Sequence, residues 1–210
     1  MTGIIVTGGD FPDFCFVREY LDKADFIIAA DSGLDTLSLY GYEPDLVIGD
    51  MDSIKNRALL DGIPSEKLMK FPQDKDFTDT ELALDYLHNS GFREIWLLGG
   101  GGGRLDHIIA LYTLFNRDVC PSMWITAEEK IFLVKEKFST RIKKNSIVSF
   151  FPVGKKICKM TSNGLKWKLN GLNWDRGDSG ISNVALSETV DINMISGRLL
   201  MIIPINKSVF

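Results

Sequence analysis

The first half of the chain repeats one pattern, a short and continuously apolar run that ends in glycine or aspartate. Residues 3–7 are closed by Gly8 and Gly9, residues 26–30 by Asp31-Ser32-Gly33, and residues 46–48 by Gly49-Asp50. Residues 95–98 are closed by the five glycines of 99–103, and residues 123–126 form a fifth run. Uninterrupted apolar runs of this length suit strands buried on both faces, as in parallel sheets. Helical patterns lie between them, and the alternation predicts an α/β layer fold. One helix has a legible start: Thr78-Asp79-Thr80-Glu81 reads as a capping box, with Thr78 as N-cap, Glu81 at the third helical position, and Ala83, Leu84 and Leu87 as the buried stripe.

After about Ala127 helical periodicity fades. The apolar runs 131–134, 147–151 and 199–203 are separated by turn signals at Asn163-Gly164, Asn170-Gly171 and Ser196-Gly197, which predicts antiparallel strands in a small sandwich or barrel. The expected organisation is an α/β domain over 1–127 and a smaller all-β domain over 128–210. With 210 residues, 45% of them apolar, the chain can fill cores of that size.

Composition narrows the partners. A net charge of −4 argues against nucleic acid, which calls for clustered Lys and Arg. The one basic stretch, Arg141, Lys143 and Lys144, reads as a solvated strand end. No apolar run is long enough to cross a bilayer, and the start of the chain lacks the basic and apolar regions of a signal peptide, so no membrane partner is expected. The cysteines, Cys15, Cys120 and Cys158, are odd in number and none is closely paired. That disfavours a disulfide framework or zinc knuckle and points to reduced thiols in a cytoplasmic setting.

The chemistry-bearing residues collect where the strands end, the edge at which open α/β sheets bind ligands. Asp31 follows the second strand, Asp50 and Asp52 the third, and Asp74, Asp76 and Asp79 lead into the capped helix. Converging carboxylates repel unless a cation sits among them, and oxygen donors without His or Cys favour Mg²⁺ over zinc. Taken singly, an Asp at a helix start is more often a cap or a solvated loop residue. The pair in Gly49-Asp50-Met51-Asp52-Ser53, directly after an apolar strand, is harder to explain that way. The glycines of 99–103, followed by Arg104-Leu105-Asp106-His107 and a helical pattern over 108–115, predict a phosphate cradle. The loop is neither a Walker A loop nor a strict G-x-G-x-x-G. Arg104 can fork onto phosphate oxygens. His107 is open between base, phosphate donor and locally packed helix-start residue, whereas His88 reads as a partner for a helix C-terminus. Trp167 is first read as a core residue of a strand, with an aromatic platform for a cation as the alternative.

Together these motifs resemble the thiamine pyrophosphokinases, in the bacterial branch. The resemblance rests on Ala30-Asp31-Ser32-Gly33, Gly49-Asp50-Met51-Asp52-Ser53, Asp74-Lys75-Asp76-Phe77-Thr78-Asp79 and Gly102-Gly103-Arg104-Leu105-Asp106-His107. In the second half it adds Gly164-Leu165-Lys166-Trp167 and Gly180-Ile181-Ser182-Asn183. It covers most of the chain; residues 173–178 do not align and Gly8-Gly9-Asp10-Phe11-Pro12 matches loosely. It implies a Rossmann-like nucleotide-binding domain followed by a β-sandwich, and a homodimer whose active site joins the first domain of one subunit to the second of the other. The implied reaction is thiamine plus ATP giving thiamine diphosphate and AMP. On this resemblance Asp50, Asp52 and Asp79 are the Mg²⁺ site and act in catalysis with Arg104. Asp31, Lys75, Asp76, Thr78, Gly102, Gly103, Asp106 and His107 are nucleotide-side residues. Trp167 stacks on thiamine, and Ser182 and Asn183 help hold it.

Three other readings compete. Asp50-Met51-Asp52-Ser53-Ile54 looks like the nucleophile motif of haloacid-dehalogenase-type phosphatases, which normally follows the first strand rather than the third. A pyrophosphokinase acting on a pterin alcohol would use the same metal and ATP elements. A non-catalytic nucleotide-binding regulator would not need the carboxylates.

Overall fold

The computed structural model describes residues 1–205 and divides into two compact units. The first comprises Met1–Leu114 and Val119–Ala127; the second comprises Phe115–Asp118 and the chain from Glu128 onward. Phe115–Asp118 joins the second unit by hydrogen bonds as well as packing. The Gly154 N–H donates to Asn116 Oδ1 at 2.9 Å, and Arg198 Nη1 donates to the Arg117 carbonyl at 3.0 Å. Among the described residues no helix is long and apolar enough to cross a membrane.

The first unit alternates strand and helix as the sequence pattern predicts. In order come β1 (Thr2–Val6), α1 (Phe14–Leu21), β2 (Phe26–Ala30), α2 (Gly33–Tyr40), β3 (Leu46–Gly49), α3 (Ala58–Asp61), β4 (Leu68–Lys70), α4 (Asp79–Asn89), β5 (Glu94–Leu98), α5 (Leu105–Leu114) and β6 (Met123–Ile125). The strands lie in the order β6-β5-β1-β2-β3-β4, and each pair is parallel. Ile4, Ile5 and Val6 of β1 and Ile28, Ala29 and Ala30 of β2 are buried, which is why these runs carry no polar alternation. The order reverses between β1 and β5, and a reversal of this kind opens a crevice at the carboxyl ends of the strands. Strand β4 was not anticipated: with three residues and no buried side chain it has no apolar signature. Helix α4 begins as expected, the Thr78 hydroxyl accepting the Glu81 N–H while the Glu81 carboxylate accepts the Thr78 N–H. Helix α5 starts at Leu105, earlier than the pattern suggests, so Asp106 and His107 lie in its first turn.

The second unit is all strand. It contains β7 (Glu129–Val134), β8 (Lys137–Arg141), β9 (Ile147–Val153), β10 (Cys158–Asn163), β11 (Asn173–Trp174), β12 (Gly180–Val184), β13 (Thr189–Ser196) and β14 (Arg198–Pro204). Antiparallel pairings give two groups, β12-β9-β14-β7 and β11-β10-β13-β8. One core takes side chains from both: Val148, Phe150, Leu199 and Met201 from the first, and Cys158, Met160, Val190 and Ile192 from the second. Two sheets closed over a shared core form a sandwich rather than a barrel. Gly164, Gly171 and Gly197, each in an expected turn, have φ of 80°, 77° and 77°.

Candidate active site

Three carboxylates converge at the carboxyl ends of the first unit's strands. Asp31 ends β2, Asp50 follows β3, and Asp79 opens α4; each offers an oxygen within 4.8 Å of the others. The backbone is strained to bring them there. Asp31 has φ 49° and Met51 has φ 65°, a region that side-chain-bearing residues seldom adopt. Gly49 makes room between them: at its φ of 147°, a Cβ would lie 3.0 Å from Asp79 Cγ and 3.3 Å from Asp31 Cβ.

The electrostatics of this cluster are unsatisfied. Burial pushes Asp31 above the ordinary carboxylate range, opposed by the Ser53 hydroxyl and reinforced by the charge of Asp50. Burial likewise pushes Asp79 upward, against the stabilising Lys75 ammonium. Asp31 Oδ1 is buried without a hydrogen-bond partner. Asp79 Oδ1, also buried, is met by the Lys75 ammonium at 3.1 Å. Crowded, half-desolvated oxygen donors with open lone pairs, and no nitrogen or sulfur ligand among them, suit a hard divalent cation of the Mg²⁺ type.

Asp52, also expected at the metal, lies outside that group of three but beside it, interacting with Asp50 and Lys75. Its carboxylate accepts from the Ser53 hydroxyl at 2.9 Å and from the Gln73 amide, and these donors hold it below the usual range. Its backbone N–H donates to Asp50 Oδ1 at 3.1 Å, so it steadies the loop that carries Asp50. Asp76 and Thr78 are exposed, and Thr78 is engaged in the cap.

Beside the carboxylates lies a cavity of about 400 Å³, bounded by the loops after β1 and β5 and by the starts of α4 and α5. Its two glycine loops are laced together. The Gly100 N–H donates to the Gly8 carbonyl and the Asp10 N–H to the Gly101 carbonyl, both at 2.7 Å. Gly99, Gly100, Gly102 and Gly103 have φ between 66° and 94°, so the turn requires glycine. Gly102 is needed twice over, because a Cβ there would meet the Asp10 carboxylate. Asp10 is a lining residue that sequence reasoning missed; the signal was its place directly after Gly8-Gly9 at a strand end. His107 lines the same cavity. Arg104 and Asp106 form a forked pair on the rim, at 3.2 and 2.6 Å, with both side chains mostly exposed. Each stabilises the charged form of the other.

The second unit carries the remaining expected residues together. Trp167 is 54% exposed and lies at a bend outside any strand, which corrects its first reading as a strand core residue. The Asn183 amide, 4% exposed, clamps it: Oδ1 accepts the Trp167 N–H at 3.1 Å and Nδ2 donates to the Trp167 carbonyl at 2.7 Å. Ser182 sits next to the clamp at φ 58°, its N–H donating to Ser149 Oγ at 3.2 Å. Lys166 Nζ stands 4.5 Å from the centre of the Trp167 ring. An indole face that already holds an ammonium is suited to cations.

Comparison with known proteins gives a consistent result. The family model of the thiamin pyrophosphokinase catalytic domain matches residues 17–123, and that of the thiamin pyrophosphokinase vitamin B1 binding domain matches residues 135–199. The thiamine pyrophosphokinase of Bacillus subtilis is 29% identical over 210 residues, spanning 94% of this chain and 96% of that protein. The crystal structure of thiamine pyrophosphokinase from Bacillus subtilis superposes with a TM-score of 0.80 at 26% identity, over 98% of this chain and all of that one. Thiamin pyrophosphokinase from Candida albicans shares the fold, with a TM-score of 0.74 at 18% identity over 98% of this chain and 89% of that one.

Proposed function

The chain belongs to the thiamin pyrophosphokinase family, and from that premise we propose a role for each group of residues in the transfer. The enzyme is an ATP-dependent pyrophosphotransferase that converts thiamine to thiamine diphosphate. The thiamine hydroxyl oxygen bonds to the β-phosphorus of ATP, the bond from that phosphorus to the oxygen of AMP breaks, and the hydroxyl proton is released. Such transfers need little covalent help, so positioning and charge neutralisation dominate.

The observation that carries the reading is the convergence of Asp31, Asp50 and Asp79 beside the glycine-walled cavity. In our assignment Asp50 and Asp79, with Asp31 as third oxygen donor, hold Mg²⁺. Asp52 sits at the rim and fixes the Asp50 loop. A bound Mg²⁺ supplies positive charge that offsets the charge on the phosphate oxygens. The glycine turn, including Gly102 and Gly103, takes the phosphates through backbone N–H groups, with Thr78, Asp76 and His107 around the nucleotide. Arg104 exchanges Asp106 for phosphate, a favourable trade for a fork that matches either anion. Trp167 stacks on the cationic ring of thiamine, with Ser182 and Asn183 fixing its turn. We also assign a homodimer, supported by the exposed apolar surface of Trp167, Ile181 and Leu186, and a cytosolic setting, supported by three free thiols. The homodimer requires a single sedimenting species of twice the chain mass.

The phosphatase reading has no support, because its motif follows β3 rather than β1 and neither family model is of that class. The pterin reading likewise has none, since the second unit matches a vitamin B1 binding domain. AMP formation from ATP, measured with and without thiamine and with and without Mg²⁺, tests the assignment. Turnover is expected only with both present, and thiamine-independent release of inorganic phosphate would refute it.

A further inference from the structure

Lys75 is the residue whose surroundings the reaction does not explain. A lysine meant for phosphate would be expected to reach into the glycine-walled cavity. Its ammonium is instead turned into the carboxylates, with only 14% of the side chain exposed. Nζ lies 3.1 Å from Asp79 Oδ1, 3.8 Å from Asp50 Oδ2, and donates to the Pro72 carbonyl at 3.2 Å. It is a compact cation ringed by three oxygens, two of them from the carboxylates assigned to the metal. A lysine ammonium is a point charge on a flexible stem, so it can occupy such a position and leave it without rearranging the backbone.

We infer that Lys75 is a tethered counter-ion that fills the divalent-cation position until nucleotide phosphates draw it out, so that metal and nucleotide load together. This rests on the assignment of Asp50 and Asp79 to the metal. Without a cation, the carboxylates would repel at close range in a partly desolvated site. Lys75 relieves that repulsion. A divalent ion arriving alone must expel the ammonium, which then stands unpaired beside a second cation, so metal alone binds weakly. When triphosphate is present, the displaced ammonium gains a new anionic partner a short distance away, and the opposition disappears. By linkage, metal must then strengthen nucleotide binding by the same factor that nucleotide strengthens metal binding.

The test uses the full chain and Mn²⁺ as a paramagnetic probe of the Mg²⁺ position. Free Mn²⁺ is measured by electron paramagnetic resonance, with and without α,β-methylene-ATP, which cannot release AMP. Wild type is expected to bind Mn²⁺ weakly alone and much more tightly with the analogue. Lys75→Met and Lys75→Gln should each bind Mn²⁺ alone about tenfold more tightly than wild type, about 1.4 kcal/mol. Their additional tightening by nucleotide should shrink. Lys75→Arg, which keeps the charge, should stay near wild type, and one folded neutral variant is enough for the comparison. A lysine with a merely structural role would lower thermal stability without raising metal affinity. Neutral variants that bind Mn²⁺ no better than a wild type that does bind it overturn the inference. A wild type that binds no Mn²⁺ even with the analogue overturns the metal assignment instead.

Discussion

In the first unit, Asp31, Asp50 and Asp79 crowd like charges, two of them are pushed toward the protonated form by burial, and Asp31 leaves a buried oxygen without a hydrogen bond. In the second, Asn183 engages Trp167 through both its oxygen and its nitrogen, and the oxygen also accepts the Val184 N–H at 2.8 Å. Both regions use a strained, non-glycine backbone, at Asp31 and Met51 in one and Ser182 in the other. They differ in what the strain holds in place. In the acidic cluster Lys75 offsets only part of the like charge and Asp31 keeps an open oxygen; the tryptophan turn has its polar groups paired and needs only a ring to cover it. Adding a divalent cation should therefore stabilise the first region and leave the second unchanged.

The sharpest way to break this contrast is Asp79→Asn. We expect turnover to fall about 10²–10³-fold, in the range for losing one preorganised charge-stabilising group. Without metal, thermal stability should stay near wild type, because the loss of a repulsive, partly desolvated charge offsets the loss of the Lys75 ion pair. A large drop in melting temperature would mean that the cluster is structural. Asp52→Asn removes an orienting group at the rim and should cost less turnover, about 10–100-fold. Equal losses at the two positions would erase the distinction between cluster and rim.

The mirror-image substitution is Asn183→Ala in the satisfied region. It leaves the part-buried N–H and carbonyl of the Trp167 turn without their Asn183 partner, so denaturant unfolding should show about 1 kcal/mol of lost stability. Added Mg²⁺ should not restore it. Trp167→Ala should raise KM for thiamine about tenfold, consistent with the loss of a cation–π face, and leave stability close to wild type. An unchanged KM would remove the platform role. The smallest effect lies outside both sites. Burial pushes the Tyr40 phenol up to about 12, and its hydroxyl donates to the Pro12 carbonyl. The neutral phenol's contribution is present below the ordinary tyrosine value of about 10, and is lost as pH rises through about 12. Tyr42 is also pushed upward, by its hydrogen bond to Asp22, so phenolate absorbance of the folded protein should show more than one late-titrating tyrosine, and Tyr40→Phe should remove the latest part.

Much of the first unit was legible because its strands are buried on both faces and its helix α4 is capped by side chains three residues apart. Both signals are local. The membership of the carboxylate cluster is not local. Asp31 meets Asp79 only because β2 and β3 pair in register and Gly49 carries no side chain between them. Spacing along the chain pointed to Asp52, two residues from Asp50, and in the fold Asp52 stays beside Asp50 while also accepting from Gln73. Lys75 was read as a nucleotide-side residue because its charge suits phosphate; its contacts with Asp50 and Asp79 depend on the path of an irregular loop. The first reading of Trp167, as core, failed for the opposite reason. Apolar character ordinarily marks a core position, and only the hydrogen bonds of Asn183 show why an indole stays on the surface.

The glycine turn has one further contact, from beneath. Trp124, 6% exposed, donates its indole N–H to the Gly99 carbonyl at 2.7 Å. Its indole is therefore tied to the first glycine of the phosphate cradle, in a buried setting. Trp167, by contrast, is open to water and within reach of a soluble quencher. The chain has four tryptophans, Trp96, Trp124, Trp167 and Trp174; with Trp96 and Trp174 replaced by Phe, the buried indole at the phosphate cradle and the exposed one on the surface assigned to thiamine are expected to differ in emission, so that the arrival of each substrate can be timed separately.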